Sequence, residues 1–129
     1  MKLLFLSLLL FISIALSGQK LVGKWYSQDS TRIYLIYKND DQFEAILEKS
    51  SRENDREGAI ILRHVEYDDK KKQYEGVIYS ADRSALPTLA KIRFEDKDGK
   101  VLRLRLRRMF FMDVAIKWYK VEDNKTAGL

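Results

Sequence analysis

The sequence predicts an all-β protein, a single-domain up-and-down antiparallel β-barrel of about eight strands. Three observations predict it. Short runs rich in β-branched and aromatic residues follow one another, most of them joined by turn-forming residues, with no convincing helix among them. The first and last runs, Leu21-Val22-Gly23-Lys24-Trp25-Tyr26 and Ile116-Lys117-Trp118-Tyr119-Lys120-Val121, are both aromatic, as expected of strands that meet in a closed sheet. The 129 residues include no cysteine, so a core must hold the fold without disulfides, which favours a closed sheet over a loop-rich scaffold.

A leader is expected before the first strand. Met1-Lys2 is short and basic, and Leu3 to Leu16 is apolar but for Ser7 and Ser13. That run falls short of the ~20 residues needed to span a bilayer and has the flanks of a secretory signal peptide. Ala15 and Ser17 suit the −3 and −1 positions of a cut after Ser17, with a cut after Gly18 as the close alternative. No cysteine follows to carry a lipid anchor. The expected organisation is a signal peptide over 1–17, a barrel over 18–122 and a flexible tail over 123–129, in a protein exported to the periplasm or beyond and not a transmembrane one.

The strands then follow in order. After the Gly-x-Trp strand (about 21 to 28), Gln28-Asp29-Ser30-Thr31 reads as a turn, and Arg32 to Lys38 as a β-branched, aromatic strand. Asn39-Asp40-Asp41 is turn chemistry. Gln42 to Lys49 alternates, with Phe43, Ala45 and Leu47 on one face and Glu44 and Glu48 on the other. Ser50 to Gly58 lacks any large apolar residue and reads as a long solvated loop. Ala59 to Tyr67 and Gln73 to Ser80 pair around the charged tip Asp68-Asp69-Lys70-Lys71-Lys72. Gly76, inside the second of these, marks a bulge or a close backbone approach. Ala81 to Pro87 is another loop. Thr88 to Glu95 and Lys100 to Arg107 form a hairpin around Asp98-Gly99, and a last strand runs from about Phe110 to Val121.

Charge and chemistry narrow the functions. The formal charge of +5, about +4 once Lys2 leaves with the leader, permits attraction to anionic surfaces without requiring nucleic acid. His64 is the only histidine, no metal-ligand spacing appears, and neither a Gly-x-Ser-x-Gly nor a Gly-rich phosphate motif occurs. No catalytic residue, metal or cofactor is expected. The hairpin carries the most unusual pattern: Leu102, Leu104 and Leu106 share one face, and Arg103, Arg105 and Arg107 the other. Ala90, Ile92 and Phe94 against Lys91, Arg93 and Glu95 repeat the split. With the leucines inward, the outer wall becomes a ladder of cations. It serves either as a solubilising face that discourages edge pairing or as a docking stripe for lipid headgroups or glycan. An inverted register would bury the arginines around an anion, which is costly unless each is paired.

The aromatic residues give a second candidate. Tyr34, Tyr37, Phe43, Tyr67, Tyr74, Tyr79, Phe94, Phe110 and Trp118 fall on strands, and those pointing inward either fill the barrel or line a ligand cavity. Tyr34, Tyr37, Phe43, Tyr74, Phe94 and Trp118 are the lumen candidates.

Gly23-x-Trp25 resembles the first-strand signature of lipocalins and their calycin relatives. With Ile33-Tyr34-Leu35-Ile36-Tyr37, Tyr74-Glu75-Gly76-Val77-Ile78-Tyr79, Gly99-Lys100-Val101-Leu102 and Trp118-Tyr119-Lys120-Val121, the chain resembles a divergent member of domain of unknown function 2147. These are small secreted bacterial proteins, lipocalin-like in fold and without a settled biochemical role. The likeness spans most of residues 21 to 121. It lacks the family's early pair of cysteine positions, and Ala81-Asp82-Arg83-Ser84 replaces its usual acidic turn. The resemblance implies that Trp25 caps the closed end of the barrel beside Gly23, under a cation supplied by Lys120, Arg108 or Arg107. It also implies a lumen that holds a small hydrophobic or amphipathic ligand. The alternative is an envelope interaction protein with a filled barrel, docking an anionic partner through Lys91, Arg93, Arg103, Arg105 and Arg107.

Overall fold

A computed structural model describes residues 18–108 and 112–122. The expected leader, the tail over 123–129, Phe110 and the side chain of Arg108 lie outside the described residues. Eight strands form one closed barrel: β1 (Gly23–Tyr26), β2 (Arg32–Asn39), β3 (Gln42–Ser50), β4 (Ile60–Asp68), β5 (Gln73–Ile78), β6 (Thr88–Phe94), β7 (Val101–Arg108) and β8 (Met112–Lys120). Each is antiparallel to its neighbour in sequence, and β1 pairs with β8 through Trp25↔Lys120 and Tyr26↔Tyr119. The predicted up-and-down barrel is the fold of this chain.

Alternation sorts the strands into an inner and an outer face, since successive side chains of a strand point oppositely. Tyr34 and Ile36, Ala45 and Leu47, Tyr74 and Ile78, Ala90 and Ile92, and the three leucines of β7 all point inward and are buried. Arg103, Arg105 and Arg107 point out and are exposed. The inverted register is thereby excluded.

One element departs from the sequence reading. The first strand is shorter than expected, because Gly18–Leu21 forms a single helical turn in place of extended chain. Gly23 makes this possible: its φ of +132° lies where a side chain is strained, and it turns the chain from the helical turn into β1. Leu21 is then driven into the barrel end, where its carbonyl accepts the Trp25 indole N–H at 2.9 Å.

The other irregularity lies in β4, where the register with β5 shifts between Arg63 and Glu66 and His64 adopts φ 57°. An extra residue in a strand bends it locally and sharpens its twist. Here the bulged strand presses on Gly76, where an added Cβ would stand 2.6 Å from Val65 Cγ2 and 2.9 Å from the Arg63 carbonyl oxygen. The close approach expected at Gly76 is therefore real, and His64 serves the bulge from the outer face, its Nδ1 3.3 Å from Gln42 Oε1.

Candidate functional site

The two ends of the barrel differ. At the end where β1 begins and β8 finishes, the interior is solid. Phe43 and Tyr67 set their rings edge-on to Tyr74, with centroids 5.8 and 5.1 Å away, and Trp25 lies 6.4 Å from Phe94. The helical turn covers this end. Lys120 Nζ stands 4.7 Å from the Trp25 ring centroid and donates to the carbonyls of Val22 at 2.6 Å and Lys20 at 3.2 Å. Desolvation lowers its pKa below the ordinary lysine value. Of the three candidate cations, Lys120 is the one over the indole; Arg107 and the backbone of Arg108 belong to the opposite end of β7.

At that opposite end a half-open pocket enters the barrel mouth. Its volume is about 680 Å³, and it lies beside the loop 79–87, with Arg52 also lining it. Its walls are apolar, formed by Tyr34, Ile61, Ile78, Leu106, Ile116 and Trp118, and its rim carries Arg32, Arg52, Arg107, Ser80, Asp82 and Thr88. Tyr34 and Trp118 stack at 4.1 Å with their planes 20° apart, giving a flat aromatic wall. Burial pushes the Tyr34 hydroxyl above its ordinary pKa, while the neighbouring Arg32 charge draws it back.

The rim is held by two carboxylates. Arg32 reaches Asp55 through two guanidinium nitrogens, Nε to Oδ2 at 2.6 Å and Nη2 to Oδ1 at 3.0 Å, and Ser50 Oγ adds a bond to Oδ2 at 2.7 Å. The Asp55 side chain is 1% exposed, so this loop has a buried anchor. The Arg32 hydrogen bonds hold the Asp55 carboxyl below its ordinary range. Asp29 collects the Thr31 hydroxyl at 2.7 Å, the Ser27 hydroxyl at 2.8 Å and the Arg52 guanidinium. Thr31, first among these partners, holds Asp29 well below the usual carboxylate range. Arg107 makes no ion pair with any described residue, and its carbonyl accepts the Thr88 hydroxyl at 2.5 Å.

The six lumen candidates therefore divide. Tyr34 and Trp118 line the cavity, while Phe43, Tyr74 and Phe94 fill the closed end. Tyr37 is a correction: it lies on the outer wall and donates to Glu44 Oε2 at 2.7 Å. With Tyr34 and Ile36 inward, period-two alternation sends Tyr37 out. Tyr79 stands at the mouth. Arg32, Asp55 and the isoleucine walls are site residues that the sequence reading does not single out. Alternation anchored on Tyr34 and Trp118 would find the walls, but the buried ion pair joins residues 23 positions apart and leaves no local signal.

On the outer wall, Lys91, Arg93, Arg103 and Arg105 surround a shallow hollow with Lys71 and Gln73. Arg93 is tied to Gln73 Oε1 at 2.9 Å and to the Lys71 carbonyl at 3.0 Å; Lys91, Arg103 and Arg105 have no ion pair among the described residues. No group of three or more His, Cys, Asp or Glu among the described residues is arranged to hold a metal ion, and no described helix is long and apolar enough to cross a membrane. Comparison with known protein families, with curated proteins and with solved structures finds no match.

Proposed function

We propose that this chain is an exported, non-catalytic binding protein that holds one small amphipathic molecule in the mouth half of its barrel. The observation that carries the reading is a half-open pocket of about 680 Å³ at the barrel mouth, with an apolar floor of buried side chains and a cationic rim. That volume suits a small ligand, and a few convergent polar groups above apolar walls are what orient one. The apolar part would lie along the Tyr34–Trp118 stack, with an anionic or polar head at Arg107. The lipocalin-like resemblance supports the same use of the lumen. A binding role is also supported by the placement of His64, outside the barrel and away from the cavity, and by the commitment of Asp29 and Asp55 to arginines.

Laurate is a suitable probe, being apolar along its chain and anionic at its head. It should raise the melting temperature by the amount its affinity and concentration dictate. It should also change the emission of Trp118, so that Trp118→Phe, with Trp25 as the remaining indole, loses the fluorescence response. Ile78→Trp, which fills the cavity, should abolish the thermal shift. No shift with laurate or any lipid extract, together with a bare mass in native mass spectrometry, would overturn the reading.

A further inference from the structure

We propose that the barrel docks on the surface of an anionic phospholipid bilayer, through the outer wall of β5–β7 with its mouth edge against the lipid. This goes beyond ligand binding and does not depend on it.

The first observation is a charge pattern that works against the fold's own stability. Arg93 stands directly opposite Arg103, Lys91 opposite Arg105, and Arg103 opposite Lys117 on the next strand. Like charges facing each other across a strand pair destabilise it. Nearby anions relieve part of this: Glu95 pairs with Lys117, and Glu75 stands opposite Lys91 but pairs with Lys71, which leaves Lys91, Arg93, Arg103 and Arg105 without an ion pair among the described residues. Arg107 faces Asp113 across β7–β8, and on the other side of the barrel Lys24 meets Glu48 at 2.7 Å, so the run of facing cations without an ion pair is confined, among the described residues, to Lys91, Arg93, Arg103 and Arg105. An external polyanion would remove the repulsion on β6 and β7.

The second observation selects the polyanion. At the mouth end of this wall exposed apolar residues join the cations. Leu89 is 60% exposed opposite Val77, and Leu86, in the 79–87 loop just ahead of β6, is 88% exposed. The order along the wall is thus Leu89 level with Arg107 at the rim, then Lys91 and Arg105, then Arg93 and Arg103. A soluble glycan or nucleic acid rewards the cations and leaves the leucines in water. A bilayer interface takes both, with apolar side chains below the headgroups and lysine and arginine heads among the phosphates. Leu86 also lines the cavity mouth, so docking brings that mouth to the lipid.

The test is co-sedimentation of the mature protein with vesicles of phosphatidylcholine alone or mixed with phosphatidylglycerol, at low and high salt. The expected result is binding to the anionic vesicles that weakens as salt rises. Arg103→Gln with Arg105→Gln should lower partitioning by about fivefold per cation removed. Leu86→Ser with Leu89→Ser should lower it about tenfold while leaving salt dependence in place. Lys38→Gln with Lys49→Gln, off this face, should change it little. Melting temperatures of the variants confirm that each is folded. Absence of binding to anionic vesicles at low salt overturns the proposal. So does undiminished binding by the leucine variant, which would reduce the effect to unspecific charge, or binding to a sulfated glycan with none to vesicles. Laurate binding is measured separately, so a failure of docking leaves the cavity reading standing and the reverse holds too.

Discussion

Gly76 shows how tightly one residue can be constrained. Its neighbours are not flexible side-chain ends but Val65 and the Arg63 backbone, both fixed by the bulge in β4. Gly76→Ala should therefore cost about 2 kcal/mol through overpacking, measured as a lower midpoint of denaturant unfolding with an unchanged slope. A neutral result would mean that β4 shifts freely and that the bulge is not a fixed feature. The glycine is legible in the sequence because glycine weakens a strand interior and is kept there mainly at a bulge or under a second backbone. Tyr37 misleads for an equally local reason: its aromatic ring suggests the lumen, but parity with Tyr34 puts it on the outer wall, where its hydroxyl meets Glu44. At this scale the alternation rule outweighs residue type.

Among the elements, the 51–59 loop departs furthest from its composition. A stretch so rich in charge reads as solvated chain, yet Asp55 is folded under it against Arg32. The hydrogen bonds from Arg32, then that from Ser50, depress the Asp55 pKa below its unfolded value of about 3.9. A depressed carboxylate contributes stability that is fully present above the unfolded pKa and is lost as pH falls through the folded one. Asp55→Asn should therefore destabilise the protein by about 2 kcal/mol near neutral pH, leaving the Arg32 charge half-buried and less well paired. The gap between variant and wild type should shrink as pH falls below about 4. Melting temperatures measured across that range check it, and parallel curves at all pH values would mean the ion pair does not anchor the loop. The β6–β7 hairpin is legible throughout, because strict leucine–arginine alternation leaves one sensible register. The helical turn at Gly18–Leu21 is not, since Leu21 and Val22 look like the start of a strand and only the positive φ of Gly23 breaks it.

For the whole molecule, sequence alternation tells which side chains point inward but not how high along the barrel axis they lie. That height depends on the stagger between strands. Tyr34 and Trp118 share the inner face with Phe43, Tyr74 and Phe94, yet the stagger puts the first two under the mouth pocket and the other three at the opposite end. It also leaves the barrel with one short seam. β1 and β8 share two register pairs, whereas β7 and β8 share eight, so closure leans on side chains more at this join than elsewhere. Lys120 is the main one, bonding to two carbonyls ahead of β1 and covering the Trp25 ring. Lys120→Met keeps the apolar stem and removes the ammonium, and should cost about 2 kcal/mol. Amide exchange should report where that loss falls: protection drops first at Trp25, Tyr26 and Tyr119, while the β6–β7 hairpin stays protected until global unfolding. An even loss of protection would show that the seam does not depend on this lysine. Because the latch and the cavity occupy opposite ends, the variant should bind laurate as the wild type does while its seam opens more often.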